Sequence, residues 1–119
     1  YQGYLQKAAL TDMLQTAMPF KTAVELCAIE RGGSGNCSAG SNGVPAERTS
    51  RYVSALTTNA GVITLTGQES LQGLSVKLTP QWDNNDGQIS WQRSCTSGNE
   101  SLKKACQDVF RFDEEEQIP

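Results

Sequence analysis

The sequence predicts an α+β domain: one long N-terminal helix packed on a four-stranded antiparallel sheet, with two disulfides. Three observations carry that prediction. Within the first 28 residues, apolar side chains recur at steps of three and four, the spacing of one helix face. From 51 to 95, four short runs alternate at period two, as half-buried strands do. Four cysteines stand in a chain of 119 residues of which only 37% are apolar, a poor supply for a core without cross-links.

The helix comes first. Leu10, Met13, Leu14, Ala17, Phe20, Val24 and Cys27 fall on one stripe, while Gln2, Gln6, Lys7, Asp12, Gln15 and Glu25 fall mostly elsewhere. Pro19 lacks the N–H that would bond the Gln15 carbonyl, yet the stripe resumes in register at Phe20. A bend at Pro19 is therefore expected, not an end. No Ser, Thr, Asp or Asn stands ahead of Tyr1 as a cap. The segment 1–28 thus reads as the lower half of a longer spine. The stretch "RGGSGNCSAGSNGVP" stops the helix and opens a long loop, 29–50.

The strands follow. In "RYVSALTT", Tyr52, Ser54 and Leu56 alternate against Arg51, Val53 and Ala55. After Asn-Ala-Gly, "VITLTG" sets Ile63 and Leu65 opposite Val62, Thr64 and Thr66, which together predict a hairpin. "LSVKLTP" groups Leu74, Val76 and Leu78 against Lys77 and Thr79, and "QISWQRSC" sends Ile89, Trp91 and Arg93 one way. Short connections make this an antiparallel meander. One of its faces needs a cover, and the helix is the one element long enough to supply it. Beyond the sheet, Ser101–Val109 fits a short helical turn with Leu102, Ala105 and Cys106 inward. "VFRF" suits the sheet surface, and Asp113 to Glu116 reads as a solvated end.

Composition narrows the function. A chain this long builds one core and buries roughly 65% of the surface its unfolded form exposes. A net charge of −3 argues against nucleic-acid or anionic-lipid partners, which need a basic face. The chain has no histidine, so it lacks both the commonest general base and the commonest metal ligand. No serine has a histidine to activate it. Glu25, Glu30, Asp83 and Asp86 sit where helix or turn explains them, so no enzyme is expected. "RGGSGNCSAG" follows a helix and not a strand, which excludes a Rossmann or Walker loop.

Asp83, Asn85 and Asp86 in "WDNNDG" offer hard oxygens that suit Ca2+. Their register departs from the EF-hand, however, and a plain turn wants the same residues. No other cofactor is expected. Trp82, Trp91 and Tyr52 read as core, not as a ligand platform.

Cysteines 27, 37, 95 and 106 allow three pairings. The local one closes two short loops, each worth about 3 kcal/mol on a chain-entropy account. A four-thiolate zinc site is the rival, but the gaps are too long for its usual spacing. Disulfides imply an oxidising compartment, hence export. No apolar run of transmembrane length is present to serve as a signal or anchor.

Over essentially its whole length the chain resembles the globular domain of a type IVa major pilin. The segments that carry the likeness are "YQGYLQKAALTDMLQTAMPFKTAVELC", "RYVSAL", "LTGQESLQGLSVKLTP", "WDNNDG" and "ACQDVFRFD". The resemblance implies a structural subunit of an extracellular pilus on a Gram-negative bacterium, used in cell adhesion. Such a subunit polymerises with its own kind through an N-terminal apolar helix and is anchored in the inner membrane before the machinery there assembles it. The leader, the methylated N-terminal residue and the assembly glutamate of that family have no counterpart in these residues. Structural features do carry over. Cys95 and Cys106 match the cysteines bounding the family's C-terminal D-region, here 95–119, and Cys27–Cys37 resembles an additional bridge across the αβ-loop. Pro19 matches a spine kink. On the resemblance, polar assembly contacts are expected at Lys7, Asp12, Lys21, Glu25, Glu30 and Arg31, with Glu47, Arg48 and Arg51 in the loop. A type II secretion pseudopilin is the alternative. Those subunits usually use Ca2+ where Cys95 and Cys106 stand here. A monomeric secreted binding domain is a second alternative.

Overall fold

The computed structural model describes residues 2–33, 35, 37, 38, 40, 44, 49–83 and 88–110. Helix α1 spans Gln2–Arg31 and runs through Pro19 without a break. Pro19 and Gln15 are both exposed, so water can reach the carbonyl that the proline leaves without an amide. The helix outlasts the expected end at 28 because the glycines begin only at 32. Gly32 takes a left-handed φ of 73°, and the Gly33 amide donates back to the Ala28 carbonyl at 2.9 Å. This is a Schellman stop, and glycine is the residue that adopts it without strain.

Four strands form one antiparallel sheet in the order β1-β2-β3-β4: β1 Val53–Asn59, β2 Val62–Gly67, β3 Ser75–Asp83 and β4 Gln88–Thr96. The meander matches the expected one, with a correction in β1. Strict alternation puts Val53 and Leu56 on opposite faces, yet both are fully buried. A bulge is the cause. The register slips between Val53, opposite Gly67, and Ala55, opposite Thr66. One extra residue reverses the side-chain phase, so both apolar residues reach the core.

The β1–β2 turn holds Ala60 at φ 53° and Gly61 at φ 86°, the two positive angles of a type I′ turn. Its amides are tied to a distant segment: Ala60 N–H donates to Ser38 Oγ at 3.0 Å and Gly61 N–H to the Cys37 carbonyl at 2.7 Å. Alanine is a poor choice where φ is positive, and asparagine tolerates it better. Ala60→Asn is expected to stabilise the domain by about 0.5–1 kcal/mol in denaturant titration, since the exposed side chain meets nothing new.

Between β2 and β3 the chain makes a short 3₁₀ turn, Glu69–Leu71, that buries Leu71. A second helix, α2, spans Glu100–Val109, one residue earlier than expected because Asn99 caps it. The Asn99 side chain accepts the Leu102 amide at 3.2 Å, satisfying one of the orphan donors of the first turn. Leu102, Ala105 and Cys106 point inward as expected, and Phe110 is fully buried. Arg111 and everything after it lie outside the described residues.

One continuous core joins these elements. Leu10, Met13, Ala17, Phe20, Val24 and Cys27 from α1 meet Leu56, Ile63, Leu65, Val76, Leu78 and Trp91 from the sheet. Leu14 is the one member of the expected stripe only partly buried, at the margin of the core. Both bridges take the local pairing, Cys27–Cys37 with Cα atoms 6.0 Å apart and Cys95–Cys106 with 6.2 Å. The second ties α2 to β4, and α1 packs on α2 in turn. The Thr58 hydroxyl is buried in this core without a hydrogen-bond partner among the described residues.

Candidate functional site

The unusual surface of this molecule is the outer side of α1. The helix turns 100° per residue, so the side opposite the core stripe carries Ala8, Thr11, Gln15, Met18, Thr22, Leu26 and Ile29. All are exposed and none is charged. Among the described residues the exposed large apolar side chains are Leu5, Met18, Leu26 and Ile29, every one of them on α1. Leu26 and Ile29 are each 59% exposed, a cost in water that an isolated domain gains nothing from.

Charges border this strip. By the same rotation, Lys7, Lys21 and Glu25 follow one margin, and Asp12 and Glu30 the other. The structure divides the expected contact residues into two groups. Lys21 and Glu25 are engaged inside the molecule. Lys21 Nζ lies 2.9 Å from Glu25 Oε2, and the indole N–H of buried Trp91 donates to the same oxygen at 2.9 Å. The ammonium also sits 5.6 Å from the centre of the Trp91 ring. A charge-assisted bond from a buried indole is worth about 1.5–3 kcal/mol, so Glu25 fastens α1 to β4. Asp12 is half-buried, with the Ser50 hydroxyl 3.5 Å from its Oδ2.

Of the others, Lys7, Glu30, Arg31 and Arg51 are exposed. Arg51 lies over the Tyr52 ring at 5.3 Å. Glu47 and Arg48 fall outside the described residues, as do Asn85 and Asp86 of the Ca2+ candidates and the side chain of Asp83. Among the described residues no three acids or cysteines gather as a metal site. Trp91 is core, as expected, and only Tyr52 and Trp82 keep partial exposure.

Met18, Leu26 and Ile29 are not among the charged contacts expected from the sequence. Their signal was present in the apolar residues left over once the core stripe is assigned. Among the described residues no helix is long and apolar enough to cross a membrane.

Comparison with known proteins agrees with this arrangement. The Pilin family, of bacterial filaments, matches residues 6–107. The chain is 60% identical over 115 residues to prepilin peptidase-dependent protein D of Escherichia coli K12, covering 96% of this chain and 79% of that protein. The solution NMR structure of the major type IV pilin PpdD from enterohemorrhagic Escherichia coli superposes with a TM-score of 0.81 at 56% identity. It covers 100% of this chain and 91% of its own. A long N-terminal helix with an uncharged outer side, a four-stranded meander and a family match over most of the sequence lead to one conclusion: this chain belongs to the pilin family.

Proposed function

We propose that this chain is the major subunit of an extracellular type IV pilus on a Gram-negative bacterium. The subunit waits in the inner membrane and is polymerised by machinery there. The observation that carries this reading is the uncharged outer strip of α1. A strip of this kind is wasteful on a free domain but suits a helix surrounded by other helices, where apolar contact replaces water. Each subunit then turns Met18, Thr22, Leu26 and Ile29 toward the filament interior. The charged margins, with Lys7, Asp12, Glu30, Arg31 and Arg51 and the loop residues Glu47 and Arg48, make polar contacts between neighbours. Lys21 and Glu25 act mainly within the subunit. The Cys95–Cys106 bridge supports a pilus over a secretion pseudopilus.

The test places charge on the strip. Ile29→Glu and Thr22→Glu are surface changes in the free domain and should leave its melting temperature within about 2 °C. In the assembled subunit each would bury an unpaired carboxylate, at a cost of several kcal/mol. Filaments counted by electron microscopy should fall at least about tenfold. Normal filament numbers from both variants would overturn the assignment of this face.

A further inference from the structure

The far face of the sheet, opposite α1, has a different chemistry. Its central row crosses all four strands in register, Thr57 beside Thr64, Thr64 beside Lys77, and Lys77 beside Ser94. Adjacent rows add Thr66, Ser75 and Thr96 on one side, with Thr79 and Gln92 on the other. Such neighbours stand about 5 Å apart, so Lys77 rises from a bed of hydroxyl and amide groups. It is exposed and makes no ion pair among the described residues. Asp83 is the other charged residue of β3 whose position shares this alternation. It lies six positions further along the strand, about 20 Å away.

We infer that this face docks an acidic polysaccharide, a polymer of uronic-acid sugars, with Lys77 receiving a carboxylate and Thr64 and Ser94 bonding sugar hydroxyls. Charge complementarity selects the anion. An unpaired ammonium among neutral donors attracts a carboxylate and repels cations. The hydroxyl bed selects a partner whose charges are separated by hydroxyls. Nucleic acid fits poorly, because its dense phosphates need several cations and the chain carries a net −3. A protein partner fits poorly too, since the face lacks the exposed aromatic and arginine anchors that carry protein interfaces.

One exposed ion pair is weak, about 0–1 kcal/mol, so a single subunit should bind only loosely. Avidity rests on the filament reading above. With α1 turned inward, the far sheet face of every subunit lies outside, and repetition multiplies a weak contact by a factor on the order of a hundred or more.

Titration of the isotope-labelled chain with oligogalacturonate, followed by amide shifts, tests the contact without any filament. The expected shifts centre on Thr57, Thr64, Lys77 and Ser94, weaken about fivefold in Lys77→Gln and vanish in about 1 M salt. Neutral dextran and a single-stranded oligonucleotide should leave the face unmoved. The proposal fails if no shifts arise, if they centre on Lys103 and Lys104 of α2, or if Lys77→Gln binds as well. It also fails if dextran or the oligonucleotide acts equally. Co-sedimentation of whole pili with the polymer tests the avidity separately. A chain that binds oligogalacturonate yet forms no filament would leave the contact standing and overturn the filament reading alone.

Discussion

Gly67→Ala is expected to cost roughly 3 kcal/mol or more and to lower the melting temperature by roughly 10–15 °C. The reason is space and not backbone angle, for Gly67 has no left-handed φ. A Cβ added there would lie 2.8 Å from the Leu71 Cβ, and closer still to the Leu71 carbonyl oxygen. Real side chains do not approach backbone so closely. Neither neighbour can retreat. Leu71 is fully buried, and the turn is closed by Gly67 N–H to the Leu74 carbonyl at 2.9 Å and Leu74 N–H to that of Leu71 at 3.1 Å. Gly73 makes the control. It has a φ of 87° but nothing within 4 Å of an added Cβ, so Gly73→Asn, which tolerates that angle, should cost under about 1 kcal/mol. Equal losses at the two positions in thermal unfolding would refute the steric account.

The second large effect is expected on removing the Cys27–Cys37 bridge. The double change Cys27→Ser, Cys37→Ser frees a short loop and should cost about 3 kcal/mol. Buried hydroxyls without partners add to that loss, since both positions are buried. The effect should also travel. Ser38 Oγ accepts the Ala60 amide and the Cys37 carbonyl accepts that of Gly61, so releasing Cys37 from α1 loosens the support of the β1–β2 turn. Hydrogen exchange should accelerate at Ala60 and Gly61 well before it does in β3. Unchanged protection of those two amides would mean that the turn stands without the bridge.

Much of this architecture was legible in the residues. Both helices, all four strands and the burial of Leu10, Met13, Ala17, Phe20, Val24 and Cys27 follow from period alone, because apolar residues at steps of three and four leave one solution for burial. The bulge in β1 was hidden. A slip of one residue depends on pairing with Gly67 and Thr66, which lie across the sheet and leave no mark in "RYVSALTT" itself. The fate of Glu25 was hidden for a similar reason. A glutamate on a helix flank reads as solvated until Trp91, 66 residues later, brings an indole N–H to it. The outer strip is legible too, since Met18, Leu26 and Ile29 are apolar residues left on the helix once the core stripe is assigned.

The fastening of α1 also has a mechanical meaning. In a fibre whose subunits are joined through their helices, a pull along the axis enters each domain through α1 and tries to slide it past the sheet. Interlocked side chains resist that shear only while they stay in contact. The Trp91–Glu25 bond grips the helix about four-fifths of the way along, and Cys27 anchors it covalently about half a turn further on. Load is therefore handed from helix to sheet near the far end of α1, and the long apolar seam before it works as a distributed brake.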